Sequence, residues 1–124
     1  MEEKLIIQAK EGRKHSYAPY SRYFVGAAVE DEKGRIYTGC NIENGSYGAT
    51  MCAERTAIFK AVSDGAKSIK KIAITAEETM PYPCGLCRQV MSEFCDSDTT
   101  VIMECDGKVE IHSFGELMPY GFKL

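Results

Sequence analysis

Two short segments carry residue types that could do chemistry together: Cys52-Ala53-Glu54-Arg55 and Pro83-Cys84-Gly85-Leu86-Cys87. Zinc accepts cysteine thiolates, and a C-x-x-C spacing on one helical turn supplies two of them. Cys52 makes a third. Three protein ligands leave the fourth tetrahedral position open, which is the pattern of a catalytic site. A structural site more often shows a second C-x-x-C, and this chain has none. Glu54 follows the first candidate ligand by two residues, so its carboxylate sits near a metal without binding it. A carboxylate so placed can take a proton from water and return it elsewhere. The C-x-x-C alone also fits a redox pair, a zinc half-site or coincidence. Cys52 alone fits a small buried residue. The two pieces together, with Glu54 and Pro83 in place, point to a catalytic zinc centre.

For that chemistry both segments must open helices, because a helix N-terminus favours anions and helps keep thiols ionised. Thr50 offers an N-cap for a helix carrying Ala53, Ala57, Ile58, Ala61 and Val62 at helical spacing, which Gly65 ends. Pro83 sits where a second helix begins, with Val90, Met91 and Phe94 as its apolar face. Around these, residues 2–16 read as a helix with Leu5, Ile6 and Ala9 on one face, stopping before the Pro-centred loop Tyr17-Ala18-Pro19-Tyr20-Ser21. Val25, Ala27 and Val29 alternate along a strand, and Arg35–Cys40 returns as its hairpin partner. Asn41–Thr50 is a polar loop. Lys71–Ala76 is a buried strand, Thr99–Cys105 and Lys108–His112 form a hairpin around Asp106-Gly107, and a short helix near Gly115–Met118 ends at Pro119. Helices alternating with strands imply crossovers and layers on both faces of one sheet. The expected fold is a three-layer α/β/α domain with a mixed sheet of about five strands, forming a single domain over residues 1–124.

Composition narrows the partners. In 124 residues, 15 Lys+Arg against 18 Asp+Glu give a net charge of −3, which argues against binding nucleic acid by phosphate neutralisation. No apolar run approaches the roughly 20 residues of a membrane helix. The start Met1-Glu2-Glu3-Lys4 is acidic where a signal peptide would be basic, so a cytoplasmic setting is expected. There, clustered cysteines mean metal or catalysis more often than disulfides. Cys40, Cys95 and Cys105 fall outside the motif and read as buried free thiols, while His15 and His112 read as bystanders.

Beyond these patterns, the chain resembles the small, homotetrameric, zinc-dependent cytidine deaminases. The resemblance rests on Tyr17-Ala18-Pro19-Tyr20-Ser21, Val25-Gly26-Ala27-Ala28, Gly39-Cys40-Asn41-Ile42-Glu43-Asn44, Cys52-Ala53-Glu54-Arg55-Thr56-Ala57 and Pro83-Cys84-Gly85-Leu86-Cys87-Arg88-Gln89-Val90, in that order along nearly the whole chain. His or Cys before x-E, then P-C-x-x-C, is the zinc deaminase signature. With Cys in the first position, the expected ligand set is Cys52, Cys84 and Cys87, with Glu54 as the proton carrier.

The resemblance implies hydrolytic deamination of cytidine and 2′-deoxycytidine. It implies that Asn41 and Glu43 bind the ribose, although their residue types alone also fit an ordinary polar loop. It implies that an aromatic ring lies against the pyrimidine. Tyr23 occupies that position, where Phe is more familiar. Strand alternation would point Tyr23 and Phe24 to opposite faces, so only one ring can stack. The Ala53 backbone N–H would hold the base carbonyl, and the Tyr82 carbonyl would face the leaving ammonia. In the homotetramer, Gly45-Ser46-Tyr47 would reach a neighbouring subunit's ligand and Phe122 would close over a neighbouring site. Phe122 lies two residues from the chain end, where the family often continues.

Three thiolates and Zn²⁺ sum to −1, which weakens the pull on bound water. Arg55 resembles the family arginine that bonds the ligand sulfurs and is expected to withdraw thiolate charge. Arg88 reads as a solvent or interface arginine. The alternatives are a deaminase for another cytosine nucleoside, such as a blasticidin-type antibiotic, a nucleic-acid cytosine editor, and a non-catalytic zinc or redox protein using only Cys84 and Cys87. Asn41-Ile42-Glu43-Asn44 favours cytidine over the first, the acidic balance disfavours the second, and Glu54 has no use in the third.

Overall fold

A computed structural model describes residues 2–124. Helix α1 (Glu2–Arg13) leads into the hairpin β1 (Gly26–Asp31) and β2 (Ile36–Cys40). A loop with one 3-10 turn (Tyr47–Ala49) precedes α2 (Ala53–Ser63), which crosses over to β3 (Ile69–Ala76). Helix α3 (Gly85–Phe94) connects β3 to β4 (Thr100–Cys105), and β5 (Lys108–Ser113) and α4 (Phe114–Leu117) follow. The sheet order is β2-β1-β3-β4-β5. Only β3 and β4 pair in parallel; the other neighbours are antiparallel, so the sheet is mixed.

Alternation along the strands divides the interior. Ala27, Val29, Ile72, Ile74, Val101 and Met103 face α2 and α3, where Ala57, Ile58, Ala61 and Met91 close the larger core. Ala28, Ala73 and Ile102 face the other way, onto Leu5 and Ala9 of α1. Both faces are thus covered by helices, which gives the three-layer α/β/α arrangement. The helices ride close to the strands because small residues lie between them. A Cβ on Gly39 of β2 would stand 2.5 Å from the Ala57 nitrogen and 2.7 Å from the Ala53 oxygen, so α2 rests on bare backbone there. At the β4–β5 turn, Asp106 and Gly107 both have positive φ (50° and 88°), as a two-residue Asp-Gly hairpin requires.

A polar network is buried under α1. The Glu104 carboxylate accepts from the Thr75 hydroxyl and from the Gly107 N–H at 2.8 Å, and it faces Lys10 Nζ at 3.5 Å. Arg13 in turn donates to the Thr75 oxygen at 3.1 Å.

Several element ends differ from expectation: α3 begins at Gly85, capped by Cys84, rather than at Pro83, and β3 begins at Ile69 rather than at Lys71. The first helix stops at Arg13 rather than at residue 16, because the next bonds tighten to the i−3 carbonyl (Lys14 to Glu11, His15 to Gly12, Ser16 to Arg13). The Ser16 hydroxyl then turns to Asn41. The N-cap of α2 is Cys52, not Thr50. Met51 is still paired across a bridge with Ile42, which keeps the chain extended to Cys52. The Thr50 hydroxyl instead accepts from the Asn44 N–H at 3.2 Å.

Candidate active site

The two cysteine segments open their helices as the chemistry requires. Cys52 is the N-cap of α2 and Cys84 the N-cap of α3. The helix starts meet, with the Cys52 and Cys84 sulfurs 3.8 Å apart. Cys87, one turn into α3, brings its sulfur alongside, so that all three lie within 4.8 Å of one another. Tetrahedral zinc with Zn–S bonds of about 2.3 Å needs sulfurs about 3.8 Å apart, so this donor set fits the ion. The Cys52 side chain makes no cap bond to its own helix and stays available.

The groups around Cys52 suit an ionised sulfur there. A hydrogen bond from the Cys87 thiol, then one from Arg55, hold the Cys52 thiol well below the ordinary thiol range. The Arg55 Nη2 is 3.5 Å from the Cys52 sulfur, and its Nε is buried without a partner among the described residues. Glu54, in the first turn of α2, is 4 % exposed. Burial first, and the nearby Cys52 thiolate in addition, push its carboxyl up to about 7. It can therefore gain and lose a proton near neutrality.

These groups open into a cavity of about 450 Å³. Its lining brings together Tyr23, Asn41, Glu43, Ala53, Glu54 and Tyr82 with Cys52 and Cys84. Ala53 is the first residue of α2, so its N–H is one of those with no acceptor within the helix. Tyr23 lines the cavity while Phe24 is exposed, although the segment is an irregular lead-in to β1 rather than a strand.

Asn41 and Glu43 are already bonded to the protein. Asn41 Oδ1 accepts from Ser16 and from the Val25 N–H, and Nδ2 donates to the Tyr23 carbonyl at 2.7 Å. One Asn41 amide hydrogen remains for a ligand. Glu43 accepts from the Tyr20 and Ser21 N–H groups at 2.9 and 3.1 Å and from the Ser21 hydroxyl. The Ser21 hydroxyl bond leads the causes that hold the Glu43 carboxyl below its ordinary value. Ser21 is a site residue that no motif in the sequence singles out. It joins Glu43 to the Tyr23 N–H, and its only signal in the sequence was its place in the Pro-centred loop.

Gly45 and Phe122 do not line this cavity. Tyr47 is exposed, with its ring edge-on to Tyr20 at 6.3 Å between centroids. Phe122 is exposed beside a separate hollow between α3 and α4. Arg88, expected as a solvent or interface arginine, is half-buried and bonded within the chain. It donates to the Pro83 carbonyl at 2.8 Å and to the Leu117 carbonyl at 2.7 Å, tying the segment before Cys84 to α4. Cys40, Cys95 and Cys105 are buried and free, and burial pushes the Cys95 thiol up to about 12.

Residues 1–104 match the family model described as cytidine and deoxycytidylate deaminase zinc-binding region. A cytidine deaminase of Sporosarcina psychrophila is 49% identical over 122 residues, covering 97% of this chain and 90% of the relative. One from Halalkalibacterium halodurans is 47% identical over 120 residues, covering 95% and 91%. Among solved structures, a cytidine deaminase from Burkholderia pseudomallei superposes with a TM-score of 0.93 at 41% identity, covering 98% of this chain and 99% of that one. The Mycobacterium tuberculosis enzyme superposes with a TM-score of 0.83 at 35% identity, covering 98% and 97%. With its sulfurs, its buried carboxylate and its sheet arranged in this way, the chain belongs to the cytidine and deoxycytidylate deaminase family.

Proposed function

We propose that this chain hydrolyses cytidine and 2′-deoxycytidine to uridine and 2′-deoxyuridine, releasing ammonia, as a step of pyrimidine salvage. The observation that carries the reading is the convergence of the Cys52, Cys84 and Cys87 sulfurs beside a buried Glu54 in a cavity of about 450 Å³. The three cysteines hold one zinc per chain. Zinc bound there supplies Lewis acidity, which makes water a competent nucleophile at neutral pH.

Glu54 takes a proton from the attacking water and delivers it to ring N3, which leaves C4 electrophilic. Water oxygen bonds to C4, the C4–amino bond breaks, and Glu54 carries the second proton to the departing amino group. The sum is one nucleoside and one water giving one uridine product and one ammonia. A carboxyl that burial pushes above its ordinary value suits both directions of this traffic. The Ala53 N–H faces the base carbonyl, and the Tyr82 carbonyl faces the leaving ammonia. Tyr23 packs against the base. The free Asn41 hydrogen and the Glu43 carboxylate meet the ribose hydroxyls, which offer both an acceptor and a donor. Arg55 draws charge from the sulfurs.

We further read the chain as one domain over residues 1–124, working in the cytoplasm as a homotetramer. In it Gly45-Ser46-Tyr47 and Phe122 complete neighbouring sites. The exposure of Tyr47 and Phe122 outside their own cavity supports that role. No helix among the described residues is long and apolar enough to cross a membrane.

The test is ammonia release with cytidine, deoxycytidine, cytosine, CMP and a blasticidin-type nucleoside, alongside zinc per chain and light scattering. Turnover of the two cytidines, one zinc per chain and a tetrameric mass are expected. Zinc without turnover of any cytosine nucleoside overturns the reaction, and a monomer at assay concentration overturns the shared sites.

A further inference from the structure

One wall of the cavity is the loop between β3 and α3, where Thr79, Met80, Pro81 and Tyr82 face inward. Among the described residues no sheet ladder holds this loop. Its own bonds are short-range, Thr79 N–H to the Glu77 carbonyl and Tyr82 N–H to the Met80 carbonyl, each 2.9 Å. Glu78 sits at φ 74°, in the left-handed region. Behind Met80 lies a second hollow of about 320 Å³, also lined by Glu78, Cys105, Asp106 and Glu110. The wall thus has open space on both sides, and something must set where it stands.

From the β4–β5 side, Asp106 accepts from the Glu78 N–H at 3.0 Å and Glu110 accepts from the Tyr82 hydroxyl at 2.8 Å. These hold the two ends of the loop from behind. From the cavity side comes the Tyr23 hydroxyl, which donates to the Thr79 carbonyl at 2.6 Å. Tyr23 is fixed at its base as well: its N–H donates to the Ser21 hydroxyl at 3.0 Å and its carbonyl accepts from Asn41 at 2.7 Å.

We propose that Tyr23 is a positioning residue for the 77–82 loop, its hydroxyl acting as a strut that sets the width of the cavity in which the substrate base lies. The base packs on the ring and the wall hangs on the hydroxyl, so one side chain aligns both. Burial raises the phenol above its ordinary value, which keeps the hydroxyl a donor at neutral pH. A phenylalanine would keep the ring and lose the strut. The inference deepens the proposed function, because it takes a cytosine nucleoside to be the occupant.

The test is Tyr23→Phe with two readouts. In ligand-free protein, amide deuterium exchange at Thr79 and Tyr82 should quicken several-fold, with β3, α2 and the melting temperature unchanged. With cytidine, KM should rise roughly fivefold, the worth of one ordinary hydrogen bond, while kcat stays within about twofold. Unchanged exchange in the loop overturns the strut. So does a fall in melting temperature with exchange quickened across the sheet, which would make the hydroxyl a general stabiliser. If the unaltered protein releases no ammonia from cytidine, the proposed function falls while the exchange measurement still decides the strut.

Discussion

Glu54 and Glu104 have the same small solvent exposure, each 4 %, and they behave in opposite ways. Burial alone pushes both carboxyls up. At Glu104 the Thr75 hydroxyl, the Gly107 N–H and Lys10 more than offset it, and the carboxyl ends below its ordinary value. At Glu54 the opposing groups do not suffice, and the carboxyl rests at about 7. The difference lies in depth as well as in the supply of donors: protein surrounds Glu54 on every side, whereas Glu104 lies nearer the surface beside the half-exposed Lys10. A buried carboxylate loaded with donors is locked in one protonation state and serves the fold. One left short of donors and beside a thiolate can trade protons, and it faces the cavity.

The contrast can be broken most sharply at Glu54. Glu54→Gln should lower turnover roughly 10²–10⁴-fold, the usual scale for a lost acid–base group, with zinc content and fold retained. An ammonia assay paired with metal analysis checks this, and near-normal turnover with zinc bound would remove Glu54 from the chemistry. Next comes Arg55→Ala, which should reduce turnover or zinc affinity about 10–100-fold. A metal-competition titration with the same assay reads it, and no change in either places the compensating charge elsewhere. The smallest effect on catalysis belongs to Glu104→Gln. It should cost about 1–3 kcal/mol in urea unfolding while each folded molecule turns over within about twofold of normal.

The sign with pH follows for Glu104. Its folded value is lowered, so its contribution is full above the unfolded carboxylate range near about 4.3 and fades as pH falls through the folded value. The stability gap between the unaltered protein and Glu104→Gln should therefore be wide at pH 7 and narrow in acid. A gap that stays constant down to pH 3 would mean that the ionised form is not what the network holds.

Much of this was legible in the sequence because it is local. Strand alternation, the Asp106-Gly107 turn and the spacing from Cys84 to Cys87 each lie within a few residues, where periodicity and backbone rules speak directly. Capping type points to Thr50 for α2, two residues too early, whereas a bridge from Met51 to Ile42 decides the matter from nine residues away. The same limit hid the double duty of Asn41, the Arg88 tie to Leu117 and the Glu104 network. Each includes partners far along the chain, from 16 residues between Asn41 and Val25 to 94 between Lys10 and Glu104, through bonds that no residue type announces. The family resemblance named Asn41 and Glu43 as ligand contacts. It could not say that most of their bonding capacity already frames Tyr23.

Gly39 gives the site a dependence on an atom that is not there. Since α2 lies against its bare backbone, adding even one methyl would have to push the helix outward, and Cys52 and Glu54 at the helix start would travel with it. The register of Cys52 and Glu54 on α2 against Cys84 and Cys87 on α3 is therefore tied to a glycine outside the cavity lining. Within β2, a side chain at Gly39 has no room unless the helix gives way.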